Sequence, residues 1–220
     1  MRYYDFSRNM VLVDKTSKDN DAYVRLVHSA TKSFDVDLYV NDKLMVPDLR
    51  YREFTDYIKL PPGTYNLKAY PKNTKTPLLL DSTVKIDPKT VTTLAIYSQI
   101  RKLFLYPVKE SSLSMPTKGK AKVKIANLIE NIPPVDIYLS DGKLLYKNVA
   151  FKDLTNYIEL PANTYTINIK LADSDISILY VPNIFLNTDN YYTLYLIGLI
   201  NDYHDPQMLI PLDGITYLNL

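Results

Sequence analysis

The chain repeats itself once, with a period of about 100 residues. Four stretches recur in the same order, as the pairs 22–27 and 121–126, 36–40 and 135–139, 54–65 and 154–165, and 93–96 and 193–196. The offset is 99 residues early in the chain and 100 residues after one insertion near Gly142. Solenoid repeats are only about 20–50 residues long, so a repeat of this length indicates duplication of a whole domain.

Apolar and polar residues alternate within each copy, which is typical of strands with one buried face. Residues 65–70 alternate in this way, and residues 165–171 repeat the pattern. The pairs Asn41-Asp42 and Asp141-Gly142 lie between such runs and indicate tight hairpin turns. Each copy has roughly seven strand-like segments and no convincing amphipathic helix. The sequence therefore predicts an all-β fold of two tandem antiparallel β-sandwich domains.

The alternation stops between the two copies, where small polar residues predominate over 110–120. We therefore predict an N-terminal extension over 1–20, a first sandwich domain over 21–110, a linker over 111–120 and a second sandwich domain over 121–220.

Composition excludes several classes of function. The chain has no cysteine, which removes disulfides, thiolate nucleophiles and cysteine metal sites. It has only five glycines and no glycine-rich phosphate loop. The net charge of +2 gives no general attraction to nucleic acid, and no apolar run is long enough to span a membrane. We expect no nucleic-acid partner and no membrane span.

Several of the repeated segments also carry a family pattern. They read VRLVHSA over 24–30, VDLYVN over 36–41 and YIKLPPGTY over 57–65, with VDIY over 135–138 and YIELPANTY over 157–165 in the second copy. These segments resemble the bacterial and archaeal family called domain of unknown function 4397. The resemblance implies tandem immunoglobulin-like sandwiches, usually on exported or surface proteins, with no assigned catalytic activity. The second copy departs from the pattern, because Asn127 stands where the first copy has His28.

Few side chains are suited to catalysis. The only histidines are His28 and His204, so a general base for a serine or threonine nucleophile is nearly unavailable. Histidine and asparagine can both bond a loop carbonyl or amide, so we expect His28 to fix a loop. His204 has aspartates nearby but no second histidine at ligand spacing, which favours a solvated loop over a metal site.

Asp37 recurs as Asp136 on the polar face of a strand. Paired carboxylates can serve acid–base chemistry or bind calcium, but no aspartate-rich loop supplies the six to eight oxygens that calcium needs. We expect both side chains to bond a neighbouring loop. A hydrolase would instead require Asp37, Asp35 and His28 to meet in a deep pocket.

Tyrosine is unusually abundant, with 20 copies and no tryptophan. Tyr65 and Tyr165 follow a repeated Leu-Pro turn and are predicted to hydrogen-bond a nearby backbone carbonyl, as in a tyrosine corner. Tyrosines outside the repeat are candidates for an interface, since tyrosine combines a large apolar area with a polar tip. These candidates are Tyr3, Tyr4, Tyr191, Tyr192 and Tyr217.

Two strand-like stretches, 9–14 and 215–220, lie outside the repeat. Each is expected either to complete its own sheet or to add to the sheet of a neighbouring molecule.

The sequence predicts a protein that is not an enzyme and needs no cofactor or metal. The leading hypothesis is a structural or assembly module of a bacterial surface structure, in the cell envelope or the spore coat, that acts through protein–protein contacts. The N-terminus shows no apolar stretch of a secretory signal, so a spore-surface component made inside the mother cell is favoured, with the cytoplasm kept open. The alternative hypothesis is a carbohydrate- or peptide-binding module that uses surface tyrosines.

Overall fold

The structure is a computed structural model that describes residues 20–99, 102–200 and 205–219. The chain divides into two compact units. One is Ser112–Thr216, and the other comprises the described residues before Ser112 together with residues 217–219. In the described part of the chain every regular element is a β-strand, apart from one 3₁₀ turn at Gly214–Thr216. The prediction of an all-β fold with two tandem sandwiches is confirmed.

The described part of the first domain has eight strands in two four-stranded sheets. The strands are β1 Ala22–His28, β2 Val36–Val40, β3 Lys43–Leu49, β4 Ile58–Leu60, β5 Gly63–Pro71, β6 Leu80–Ile86, β7 Val91–Gln99 and β8 Lys102–Lys109. One sheet has the order β4-β1-β7-β8 and the other has the order β3-β2-β5-β6. Inward-facing aliphatic residues of both sheets, such as Leu38 and Leu94, fill the space between them.

The second domain repeats this plan with eight further strands. They are β9 Lys120–Asn127, β10 Val135–Leu139, β11 Leu144–Val149, β12 Ile158–Pro161, β13 Asn163–Leu171, β14 Ser177–Leu186, β15 Tyr191–Ile197 and β16 Gln207–Leu209. The sheet orders are β12-β9-β15-β16 and β11-β10-β13-β14. Its separate core includes Ile125, Ile137 and Ile169. Each described domain thus has eight strands, where the sequence suggested about seven.

One described strand pair in each domain is parallel, within sandwiches whose other described pairs are antiparallel. β1 pairs in parallel with β7, and β9 pairs in parallel with β15. Between β1 and β7 the chain crosses to the other sheet and back, so their relative direction is not set by a hairpin. β7 lies between β1 and β8, and β15 lies between β9 and β16. Both are therefore central strands, and every residue of β15 is buried.

The two predicted hairpin turns are present. Asn41 and Asp42 join β2 to β3 with φ angles of 47° and 62°, which the short polar side chains of these residues tolerate. Gly142 has a φ of 87° between β10 and β11, and the Asp141 carboxylate accepts the backbone N–H of Lys143 at 2.9 Å. The turns place the polar faces of β2 and β10 next to those of β3 and β11.

Candidate functional site

His28 is fully buried at the end of β1 and holds a loop in place. Its Nε2 atom lies 2.9 Å from the carbonyl oxygen of Phe34, and its ring packs edge-on against Tyr51. The Nδ1 atom is buried and has no hydrogen-bond partner among the described residues. Burial lowers the pKa of His28, because the apolar surroundings disfavour the imidazolium. Burial likewise raises the pKa of Tyr51 to about 12.

Asn127 occupies the equivalent position in the second domain and makes different bonds. Its Nδ2 donates to the carbonyl oxygen of Val149 at 3.0 Å, and its Oδ1 accepts the backbone N–H of Ile129 at 3.1 Å. Both residues therefore tie the end of the first strand to a following segment. Neither geometry exposes a basic nitrogen to a substrate.

Asp37 and Asp136 stabilise an irregularity in the adjacent strand. Asp37 accepts the backbone N–H of Asp48 at 2.8 Å and that of Asn73 at 2.9 Å. Asp136 accepts the backbone N–H of Asn148 at 2.7 Å. Asp48 and Asn148 both have positive φ, 56° and 57°, where the ladder shifts register. The carboxylates thus bond main-chain groups that the shifted ladders orient toward them.

The repeated tyrosines Tyr65 and Tyr165 make equivalent bonds. The hydroxyl of Tyr65 donates to the carbonyl oxygen of Pro61 at 2.8 Å, and that of Tyr165 donates to Pro161 at 2.7 Å. Burial raises the pKa of both hydroxyls above the ordinary value of 10. Each bond closes the turn that leads into the long strand β5 or β13.

A buried charged cluster in the first domain was not predicted from the sequence. Arg25 donates from Nε to the Thr93 hydroxyl at 2.8 Å and lies 3.4 Å from Oε1 of Glu110. The same Oε1 accepts the hydroxyls of Tyr57 at 2.6 Å and Thr93 at 2.7 Å. The guanidinium also stacks over the rings of Tyr57 and Phe54.

The second domain repeats this cluster with shorter charged side chains. Asp213 accepts the hydroxyls of Tyr157 at 2.6 Å and Thr193 at 2.8 Å, and the Lys124 ammonium lies 4.4 Å from the centre of the Tyr157 ring. Lys124, Thr193 and Asp213 are all buried.

The sequence carried one signal for these clusters. Tyr57 and Thr93 recur 100 residues later, and Arg25 is matched by Lys124 at an offset of 99 residues. The acidic residues of the two clusters could not be matched by aligning the repeats, because Glu110 and Asp213 are 103 residues apart and lie outside the repeated stretches. Both clusters are internal: Glu110 accepts a bond from Arg25, and Asp213 accepts bonds from Tyr157 and Thr193.

Tyr191 and Tyr192 are not on the surface, which corrects their proposed role in an interface. Both are buried in the central strand β15. The Tyr191 hydroxyl donates to the carbonyl oxygen of Ser114 at 3.1 Å, while Tyr192 packs in the core. Strand alternation would expose one of two successive residues, but here segments distant in sequence cover the outer face as well.

Of the three remaining interface candidates, only Tyr217 lies within the described residues. Tyr217 is 55% exposed, with its ring edge-on to Tyr57. Tyr3 and Tyr4 lie outside the described residues, as do the predicted strand 9–14 and His204. The predicted strand 215–220 is wrong for the part that is described, because a 3₁₀ turn at Gly214–Thr216 is followed by irregular chain.

A groove runs along one side of the first domain, between the edge strands β6 and β8. Two cavities of about 240 and 300 Å³ follow one another along it and share Ser82 and Leu105. Leu94 and Ile86 contribute apolar surface to the first cavity, and Lys109 lies at its margin. We call this feature the edge groove.

The type of site is also limited by which side chains and helices occur in residues 20–99, 102–200 and 205–219. No group of three or more histidine, aspartate or glutamate residues in that part of the chain is placed to bind a metal ion. No helix there is long and apolar enough to cross a membrane.

The family model described as domain of unknown function (DUF4397) matches residues 22–138 and again residues 127–213. The chain belongs to this family. The double match agrees with the tandem repeat, and the family description names no activity or ligand for DUF4397 domains. No curated protein matches the chain.

Two solved structures are similar to this DUF4397 chain at low identity. One is CBMbc, a family CBM26 module of Amy13K from Eubacterium rectale, solved with maltoheptaose; it is 12% identical over 87% of this chain and 97% of that chain, with a TM-score of 0.27. The other is the Bacillus anthracis TIE protein, 13% identical over 86% of this chain and 34% of that chain, with a TM-score of 0.26. Likenesses at this level support no inference about ligand or function.

Proposed function

We propose that the protein is a non-catalytic structural and assembly module of a bacterial surface structure, in the cell envelope or the spore coat, and that it acts through protein–protein contacts. The observation that carries this proposal is the edge groove of the first domain. The resemblance to a family whose members are usually exported or surface proteins supports the proposed location. A non-catalytic role is supported by His28, Asp37 and Glu110, whose side chains are engaged in internal bonds.

The groove has the features of an acceptor for an added strand. β6 and β8 are the last strands of their respective sheets, so each has one edge without a described neighbour. Unpaired strand edges are templates for pairing with another chain, with main-chain hydrogen bonds providing affinity and pockets providing specificity. Pro107 in β8 has no N–H to donate, so we propose that the added strand pairs with β6.

The lining of the groove fits a short alternating segment. Leu94, Leu105 and Ile86 present apolar surface, while Asp87 pairs with Lys85 and Lys109 near one end at 3.5 and 3.4 Å. A segment with apolar residues at every second position would bury them between the sheets and leave its polar residues outside.

The occupant we propose is an extended segment of a second copy of this chain. Residues 9–14, which read NMVLVD, are strand-like in sequence and place apolar residues at every second position, at Val11 and Val13. Asn20, the first described residue, accepts the backbone N–H of Lys89 in the turn after β6. The chain therefore enters the first domain beside the same end of β6 at which Asp87 lies. Exchange of this stretch between copies would link them into a dimer or a longer assembly.

Light scattering and analytical ultracentrifugation of the full chain test the proposal. Ser82 lines both cavities of the groove, and Ser82→Arg should abolish concentration-dependent association by occupying it. Pro107→Arg provides a second, independent block on β8. The matched control is Thr64→Arg on the outward face of β5, which should associate like the unmodified chain. Removal of residues 1–19 should have the same effect as Ser82→Arg.

Two results would overturn the proposal. One is an unmodified chain that stays monomeric at about millimolar concentration, because a specific contact should have a dissociation constant of about 1 mM or lower. The other is association that persists unchanged in Ser82→Arg, in Pro107→Arg and in the truncated chain.

A further inference from the structure

The two domains differ in one edge strand, although their plans are the same. β6 has seven residues and pairs with β5 without interruption, from Gly63–Ile86 to Ala69–Leu80. β14 has ten residues, and its pairing with β13 shifts register between Tyr165 and Ile167. Tyr165 lies opposite Ile184 and Ile167 opposite Val181, so β14 contains one extra residue at this point. Asn183 within it has a φ of 60°, which is typical of a β-bulge.

The bulge turns an aromatic ring toward solvent. At the offset of 100 residues, Tyr180 corresponds to Leu80, which is buried in the core of the first domain. A shift of one residue exchanges the two faces of a strand. Leu179 and Val181 accordingly pack against the second core, and the Tyr180 side chain is 60% exposed.

Tyr180 belongs to a row of side chains that crosses the outward face of the sheet. It lies opposite Asn168 in β13, which lies opposite Tyr138 in β10, which lies opposite Leu144 in β11. Adjacent strands are about 4.8 Å apart, so the backbones of Tyr138 and Tyr180 are separated by about 10 Å with Asn168 between them. We call Tyr138, Asn168 and Tyr180 the tyrosine row.

Polar and charged groups border the two rings, and the Tyr138 hydroxyl donates to Oδ2 of Asp136 at 3.4 Å. The Ser177 hydroxyl donates to Oδ1 of Asn168. The Lys170 ammonium lies 5.6 Å from the centre of the Tyr138 ring and is paired with Asp175 at 2.9 Å. The row therefore offers apolar ring surface, amide and hydroxyl groups, and a neutralised cation.

We propose that the tyrosine row binds a neutral polysaccharide, with its chain of pyranose rings lying across the strands. One face of a pyranose carries C–H groups, which pack on an aromatic ring, while its hydroxyls project at the edge toward hydrogen-bonding groups. Tyr180 and Tyr138 each provide a ring, and Asn168 provides an amide between them. A neutral ligand fits this row, because the charged groups beside it, Lys170 and Asp136, are already bonded within the protein.

An added protein strand fits this site less well. Pro182 lacks an N–H and lies beside the bulged residue Asn183, and both features interrupt the edge that an incoming strand would pair with. The exposed feature of β14 is therefore its face. A flat face with separated aromatic rings suits a sugar chain better than a peptide backbone that needs a continuous ladder.

The first domain serves as an internal comparison. The equivalent row there runs through Tyr39, Lys68 and Asp81, with a single aromatic residue. Lys68 is paired with Asp42 at 2.6 Å, and the Tyr39 ring is contacted edge-on by Tyr70. This row has Lys68 and Asp81 in place of Asn168 and Tyr180 and so lacks a second ring and the amide, and the proposal applies to the second domain alone.

Affinity electrophoresis of the full chain in gels with a soluble α-glucan, β-glucan or galactomannan tests the site. At least one of these probes should retard the unmodified chain, and Tyr180→Ala should weaken binding about ten-fold through loss of one stacked ring. Phe185→Ala is the matched control, because Phe185 lies on the same strand, is 62% exposed and is outside the row. Tyr39→Ala is the control for the first domain. Both controls should bind like the unmodified chain.

Three results would overturn the proposal. They are no retardation by any of the three polysaccharides, equal weakening by Tyr180→Ala and Phe185→Ala, and reduced self-association in Tyr180→Ala with no effect on polysaccharide binding. The last result would identify this face as a protein interface. Ser82→Arg should keep full polysaccharide binding, so failure of the edge-groove proposal and failure of this one can be told apart.

Discussion

The hydroxyl of Tyr57 lies 2.6 Å from Oε1 of Glu110, the same oxygen that accepts the Thr93 hydroxyl and faces Arg25. Glu110 is 2% exposed and Arg25 is 5% exposed. Tyr157 and Asp213 show the same relationship at the same distance in the second domain. The duplicated domains have thus kept one buried polar cluster each while changing its charged members.

Glu110→Gln should destabilise the first domain by about 3 kcal/mol, because it removes the carboxylate that faces a buried guanidinium. Urea unfolding followed by circular dichroism measures the change. Lys59→Ala, which breaks an exposed ion pair with Asp21, is the control and should cost less than about 1 kcal/mol. A loss for Glu110→Gln no larger than that of the control would show that the cluster contributes little to stability.

The stability of the first domain should fall as the pH drops below 6.5, the ordinary pKa of histidine. Burial lowers the pKa of His28 in the folded state, so below pH 6.5 the unfolded chain binds more protons and unfolding is favoured. The contribution is complete above pH 6.5 and is lost as the pH falls toward the folded-state pKa. His28→Asn, which copies Asn127, should reduce this dependence. Urea unfolding between pH 7.5 and 5 measures it, and identical pH profiles for both proteins would contradict the assignment to His28.

Asp37→Ala should destabilise the first domain by about 2 kcal/mol, because it leaves two backbone N–H groups without their acceptor. Asp136→Ala should cost the second domain less, since Asp136 accepts one backbone N–H. Asp56→Ala, at an exposed aspartate of the same domain, is the control. Hydrogen exchange should show faster opening at Asp48 and Asn73 in Asp37→Ala. Unchanged exchange at both amides would refute the proposed role of this carboxylate.

Tyr65→Phe and Tyr165→Phe should each lower stability by about 1 kcal/mol through loss of one hydrogen bond to a proline carbonyl. Thermal unfolding measures the effect in each domain. Tyr180→Phe is the comparison, because its side chain is exposed. If all three variants unfold at the same temperature as the unmodified chain, the turn does not depend on these bonds.

The repeat and the period of two were enough to predict the two sandwiches, the hairpins at Asn41-Asp42 and Asp141-Gly142, and a backbone bond from Tyr65. These features depend on local alternation, on turn residues and on groups a few positions apart. The parallel pairing of β1 with β7 could not be predicted in this way. It depends on how the chain crosses between the sheets, and no residue pattern within either strand indicates that crossing.

The amino-acid sequence alone established the duplication and the alternating strands, because side chains on a strand alternate regardless of its neighbours. Tertiary structure decided which polar residues meet and which aromatic residues face solvent. Glu110 joins Arg25 across 85 residues of chain, Tyr191 and Tyr192 are both covered, and one extra residue in β14 brings Tyr180 to the surface. Each outcome depends on strand register or on distant segments packing over a sheet, which local periodicity does not encode.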